Sequence, residues 1–220
     1  MTRKRVAILI SGRGSNMTAL IEATKHEGYP AEIALVVSNR SDASGLESAR
    51  AAGIVTEIVD HAIYGKDRAA FEEVLQDALR EHQIDLVCLA GFMRLLTDDF
   101  VTRWSKRMLN IHPALLPSFK GLDTHERALA AGVKVHGASV HFVVAEMDSG
   151  PIVAQGAVAV HEDDTPATLA ARVLAVEHRI YPLALRLVAE GRVRVEDGRC
   201  RLTGTTVSAD SALIVPFERL

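Results

Sequence analysis

The apolar positions along the chain come in two textures. Short apolar runs, "VAILIS" (6–11), "EIALVVS" (32–38), "VTEIVD" (55–60), "DLVCLAG" (85–91) and "RMLNIH" (107–112), predict strands, the first of them buried on both faces. Longer segments between them carry helical spacing. They cover 16–28, ending at Gly28, then 43–53, closed by Gly53, then 66–83, and a short stretch at 97–104. In the third of these, Phe71, Leu75 and Leu79 recur at every fourth position, which makes one apolar face. Strands alternating with helices in this way predict a parallel sheet covered on both sides.

After Pro113 the pattern changes. Residues 137–143 alternate, and 151–160 follow across a Gly150-Pro151 turn, so this pair is expected to run antiparallel to the rest. Residues 165–191 form a long helical pattern with Thr165 as N-cap and Pro166 at the first position. Pro182 should kink or interrupt it. A hairpin is predicted over 192–204, turning at Asp197-Gly198. The resulting fold class is α/β: an open, mostly parallel, Rossmann-like sheet with helices on both faces, partly antiparallel at its C-terminal edge. One domain over 1–204 is expected, with a tail at 205–220 that gives no structural reading.

Composition narrows the function. Hydrophobic residues make up 48% of the 220, enough for a substantial core. A net charge of −3 argues against a nucleic-acid partner held by bulk positive charge. The apolar run 6–10 is too short for a signal peptide or a membrane span, and no other run approaches ~20 residues, so a cytoplasmic protein without a membrane partner is expected. Cys88 sits in an apolar strand and reads as a small buried hydrophobe; with Cys200 it makes neither a disulfide framework nor a zinc site. The nine histidines are scattered without metal-ligand spacing, so no metal is expected.

Two stretches carry candidate chemistry. "SGRGSN" (11–16) lies between the first strand and the first helix, where Gly14, Ser15 and Asn16 offer donors to a phosphate. It is neither G-x-G-x-x-G nor a P-loop, which disfavours a dinucleotide or ATP. The alternative is a tight turn in which Ser15 or Asn16 caps the helix. In the second stretch, "LNIHP" (109–113), Asn110 and His112 share one face of a strand, Ile111 takes the other, and Pro113 ends the ladder. An amide and an imidazole side by side suit a reaction that builds negative charge on a carbonyl oxygen, as acyl or formyl transfer does. A carboxylate near an imidazole favours its charged form, and Asp148, in the turn before Gly150-Pro151, is the candidate. His125, His136 and His141 could approach His112, but spacing fixes no geometry. Asp163-Asp164, before the long helix, read as a solvated acidic turn.

"SGRGSN", "LAGFMRLL", "LNIHPALLPSFKG", "HGASVHFV", "MDSGPIVAQ" and "EHRIYP" stand in an order and spacing similar to those of the phosphoribosylglycinamide formyltransferases, over roughly residues 5–190. The resemblance implies a formyltransferase domain that moves a formyl group from 10-formyltetrahydrofolate, a co-substrate, to the amine of glycinamide ribonucleotide, without a metal. It implies Asn110, His112 and Asp148 as the catalytic trio. Gly14, Ser15, Asn16, Leu174, Ala175, Val176 and Glu177 would bind the nucleotide substrate, with Glu177 on the ribose; by pattern alone Glu177 is an exposed helix residue. The folate would lie on Met93, Arg94, Leu95, Leu96, Asn110, Val144, Ala145, Glu146, Met147 and Asp148, with Arg68 and Arg94 near its anionic tail. By pattern alone Arg68 is an exposed helix arginine. Lys120, Asp123, Ala138, Ala145 and Met147 depart from the family pattern in the surrounding loops. Monomer and homodimer remain open.

Three other readings compete. A formyltetrahydrofolate hydrolase would use the same trio on water, but would carry an N-terminal regulatory domain for which a first strand at Val6 leaves no room. A methionyl-tRNA formyltransferase would need a longer, basic C-terminal part. A non-catalytic folate or nucleotide sensor would not need Asn110, His112 and Asp148 together.

Overall fold

The computed structural model describes residues 2–204. The tail at 205–220 lies outside them. Along the chain come β1 (Lys4–Ile10), α1 (Ser15–Thr24), β2 (Ala31–Ser38), α2 (Gly45–Ala51), β3 (Thr56–Ile58), α3 (His61–Tyr64), α4 (Arg68–Glu81), β4 (Leu86–Leu89), α5 (Asp98–Arg103) and β5 (Met108–His112). Then follow α6 (Thr124–Ala130), β6 (Val135–Phe142), β7 (Ile152–Ala159), α7 (Pro166–Ala189), β8 (Val193–Glu196) and β9 (Arg199–Leu202). Seven strands form one sheet in the order β3-β2-β1-β4-β5-β6-β7, and β8 and β9 form a hairpin. The first five are mutually parallel.

The continuous apolar strands are explained by what covers them. Val6, Ile8 and Ile10 of β1 pack under α1, α2 and α7, while Ala7 and Leu9 pack under α4 and α5. All five have no exposed surface. Phe71, Leu75 and Leu79 of α4 are buried as their spacing predicts. Asp67, Thr97 and Thr165 cap α4, α5 and α7 with their side chains. Asp197 and Gly198 both have positive φ, the geometry a tight two-residue hairpin turn requires.

Five expectations change. The first helix stops at Thr24, because tighter turns at Lys25, His26 and Tyr29 replace its last turn before Gly28. Helices α3 and α6 are not signalled: α3 is a four-residue turn, and the apolar residues of α6, Ala128, Leu129 and Ala130, are consecutive rather than at helical spacing. Only β6 runs against the sheet, since β7 is antiparallel to β6 and therefore parallel to the first five strands. Helix α7 crosses Pro182 without interruption. Tertiary contacts hold it there: the Tyr29 hydroxyl donates to the Pro182 carbonyl (2.7 Å), and Tyr181, fully buried, reaches the carbonyls of Leu89 (2.9 Å) and Leu109 (3.1 Å). Finally, Asp164 is not a solvated carboxylate. Its side chain is enclosed by Arg172, the His161 amide and the Thr168 hydroxyl, and the guanidinium holds its carboxyl well below the usual carboxylate range.

Candidate active site

The carboxyl ends of the central parallel strands open on one edge, where ligands bind in sheets of this kind. At the end of β1, Gly14 adopts φ +71° and starts α1. A side chain here would crowd Met17 Cε at 3.0 Å and Gly45 Cα at 3.3 Å. Neither Ser15 nor Asn16 caps the helix. The first-turn amides therefore keep no side-chain partner, and the dipole end favours an anion. Asn16 instead turns inward, and its Nδ2 donates to Glu177 Oε2 at 2.6 Å.

Glu177 is thus not the exposed helix residue its pattern suggested: it is buried, and burial raises its carboxyl pKa, with the Asn16 amide opposing. Asn16 Oδ1 is buried without a partner, a free acceptor at this edge. The neighbours differ. Leu174 is half-buried, Ala175 is exposed, and Val176 packs on β7 at Gly156, where a Cβ would lie 2.2 Å from its Cγ1.

At the end of β5, the same-face pair meets its carboxylate. His112 Nδ1 lies 3.4 Å from Asp148 Oδ2, with both side chains more than nine-tenths buried. His112 Nε2 donates to the Phe119 carbonyl at 3.0 Å, and the Gly121 amide donates to Asp148 Oδ2 at 2.9 Å. One ring nitrogen thus bonds a backbone carbonyl while the other lies beside the carboxylate. Asp148 sits in the left-handed region (φ 52°) in the loop between β6 and β7. The loop folds back so closely that a Cβ on Gly150 would lie 1.7 Å from the Phe142 carbonyl oxygen.

The antiparallel register adds His141, which pairs with Asn110 across β5 and β6. His141 Nδ1 donates to the Phe142 carbonyl (2.9 Å), so its Nε2 accepts from Asn110 Nδ2 (3.2 Å). The same Nε2 is 3.8 Å from Asp148 Oδ1. Burial lowers the His141 pKa, which keeps the ring in the acceptor form. The alternation of residues 137–143 signals that His141 shares a face with Ser139; pairing with Asn110 depends on a register no spacing reveals. Ser139, opposite His112, donates to the Ala114 carbonyl (2.7 Å) and accepts from the Leu116 amide (3.0 Å), bracing the turn behind His112. His125 and His136 stack edge to face beside Phe119 rather than joining the trio. Burial lowers His136 to about 4.

Around the trio lies an apolar rim. Met93, Leu95, Leu122, Val144 and Met147 all stand exposed on three loops, an unusual density of large apolar side chains in solvent. Ala145 and Glu146 are exposed beside them, and Leu96 is half-buried. Arg94 is half-buried and Arg68 exposed at the start of α4; neither guanidinium makes a hydrogen bond among the described residues, and the structure does not bring Arg68 to the trio. Among the described residues no group of His, Cys, Asp or Glu is placed to hold a metal ion, and no helix is long and apolar enough to cross a membrane.

A mostly parallel sheet with an Asn–His pair at the end of β5 and a carboxylate delivered by the β6–β7 loop is the arrangement of the formyl transferase class. The formyl transferase family profile matches residues 4–185. Phosphoribosylglycinamide formyltransferase of Escherichia coli is 42% identical over 199 residues, covering 90% of this chain and 93% of that one. Glycinamide ribonucleotide transformylase 1 of Symbiobacterium toebii superposes with a TM-score of 0.88 at 48% identity, covering 91% of this chain and 94% of that one. The trifunctional purine biosynthetic protein adenosine-3 of Bos taurus is 51% identical over 198 residues, which is 90% of this chain. The chain spans about a fifth of the length of that trifunctional relative. It belongs to the phosphoribosylglycinamide formyltransferase family.

Proposed function

We propose that this chain transfers the formyl group of 10-formyltetrahydrofolate to the primary amine of glycinamide ribonucleotide, a step of purine biosynthesis. One observation carries the reading. Asn110, His112 and Asp148 converge on the edge that also presents the uncapped start of α1 and the buried Asn16–Glu177 pair. The amine would attack the formyl carbon, forming a new C–N bond and driving the carbonyl electrons onto oxygen. Asn110 Nδ2–H and a ring N–H of His112 would bind that oxyanion, each such donor being worth about 3 kcal/mol of the barrier. Collapse would break the bond to the folate nitrogen, which gains a proton as the amine loses one. Asp148, 3.4 Å from the imidazole, would balance its charge and take up that proton.

The substrates divide between the two halves of the edge. The phosphate would sit on the amides at residues 14–16, and the ribose hydroxyls near Glu177 and Asn16 Oδ1. The flat pterin would lie on the apolar rim of residues 93–96 and 144–147, with Arg94 and Arg68 toward its anionic tail. Both substrates are small and water-soluble, so the reading needs no nucleic acid, membrane or metal and puts the activity in the cytoplasm. The test is formation of tetrahydrofolate from 10-formyltetrahydrofolate with and without glycinamide ribonucleotide. Turnover only with the amine supports transfer. Equal turnover without it makes the chain a hydrolase, and tight folate binding without turnover makes it a sensor.

A further inference from the structure

The segment 119–121 holds both members of the catalytic pair through its backbone. The Phe119 carbonyl accepts from His112, and the Gly121 amide donates to Asp148. Lys120 lies between these two contacts. Its carbonyl accepts from Arg127 of α6 at 2.6 Å, which anchors the segment from below. Its ammonium reaches across to the other loop, 3.2 Å from Glu146 Oε1, and donates to the Ser149 hydroxyl. Glu146 and Ser149 bracket Met147 and Asp148, so one side chain closes a ring around the loop that carries the carboxylate and the apolar rim. Met147 also packs within 3.8 Å of the position a Gly121 Cβ would take.

We propose that Lys120 is a positioning residue, a charged clasp that holds the loop of residues 144–149 against residues 119–121 and thereby sets the folate-binding surface and the His112–Asp148 spacing. This rests on the formyl-transfer reading for its substrate. The backbone contacts do not depend on the residue type at 120; the bridge to Glu146 and Ser149 does. Lys120 is about one-third exposed and Glu146 mostly exposed, so the bridge is screened and worth a small factor. It acts across two loops, on one whose own ties are local, from the Ser149 amide to the Glu146 carbonyl (3.3 Å) and from the Ser149 hydroxyl to the Met147 carbonyl (3.0 Å), which is where a small factor is felt in binding.

The experiment measures kcat, KM for each substrate and calorimetric Kd for 10-formyltetrahydrofolate in the full chain and in Lys120→Met, Lys120→Arg, Glu146→Gln and the double variant Lys120→Met/Glu146→Gln. Lys120→Met should raise folate KM and Kd about three-fold, with KM for glycinamide ribonucleotide unchanged. Glu146→Gln should act in the same direction, and the double variant should be no worse than Lys120→Met. High salt should shift the parent toward the variants, and Lys120→Arg should restore it. Lys134→Met, which breaks the exposed pair with Glu162 elsewhere, should change nothing. Unaltered folate Kd in Lys120→Met, additive single effects, or equal rises in both KM values would each overturn the clasp. If the parent binds folate yet never formylates the amine, the functional reading fails while the Kd series still judges the clasp.

Discussion

The two halves of the candidate site are built on different principles. The half around Gly14–Asn16 and Glu177 is made from regular elements, the end of β1, the start of α1 and the middle of α7, which are fixed by a buried core. The half around His112 and Asp148 takes Asn110 and His112 from β5 and His141 from β6, and completes the site with two loops. Those loops carry left-handed backbone at Phe119, Asp123 and Asp148 and are tied by hydrogen bonds from side chain to backbone. A site set on packed elements is rigid and tolerant of change around it. A site closed by loops is adjustable, and each tie counts.

That contrast predicts a hierarchy of responses. His112→Ala removes the group common to both loop contacts. Turnover should fall about 10²–10³-fold, as for loss of one oxyanion donor; retained activity would break the assignment of chemistry to the loop half. Asp148→Asn keeps the Gly121 contact but loses the charge, and kcat should drop about 10²-fold with folate Kd nearly unchanged. An unchanged kcat would remove Asp148 from the proton path. Gly150→Ala forces a Cβ into the Phe142 carbonyl, so the β6–β7 turn must shift. Its stability should fall by about 1–3 kcal/mol in a urea melt, with kcat down roughly ten-fold.

The smallest effect concerns the rigid half. The raised pKa of Glu177 means the folded state holds its proton more tightly than the unfolded chain does. Its contribution to stability is therefore fully present below the ordinary glutamate range and is lost as pH rises through the raised value. Glu177→Gln can still accept from Asn16, and it escapes the cost of burying charge. Its Tm at pH 8 should exceed the parent's by on the order of 2 °C, with the gap closing at acid pH. KM for glycinamide ribonucleotide should nevertheless rise. A Tm gap that widened in acid would contradict the sign of the shift.

The same contrast decides what could be read from residues alone. Continuous apolar runs revealed β1, β2, β4 and β5 because burial on both faces leaves no other pattern. Strand alternation placed Asn110 and His112 together because the period of two is geometric. Neither rule reaches across space. Glu177 looked exposed because its helix period says nothing of a partner 161 positions away, Asn16. His141 joined the site through a strand register, and Asp148 through a loop whose path depends on Gly150 and Phe142. Asp164 was misjudged for a related reason: Arg172 closes over it from two helical turns along. Of the kink or interruption expected at Pro182, the interruption does not occur, because local propensity yields where Tyr29 bonds the Pro182 carbonyl and Tyr181 bonds the Leu89 and Leu109 carbonyls.

The bond from His112 Nε2 to the Phe119 carbonyl has a spectroscopic consequence. The imidazole is only 5% exposed, so the proton in that bond exchanges slowly with solvent. In a proton magnetic resonance spectrum it should give a resolved line well downfield of the amides. A substrate oxygen that captures the proton from Phe119 would move the line, and occupancy of the site becomes visible without a label.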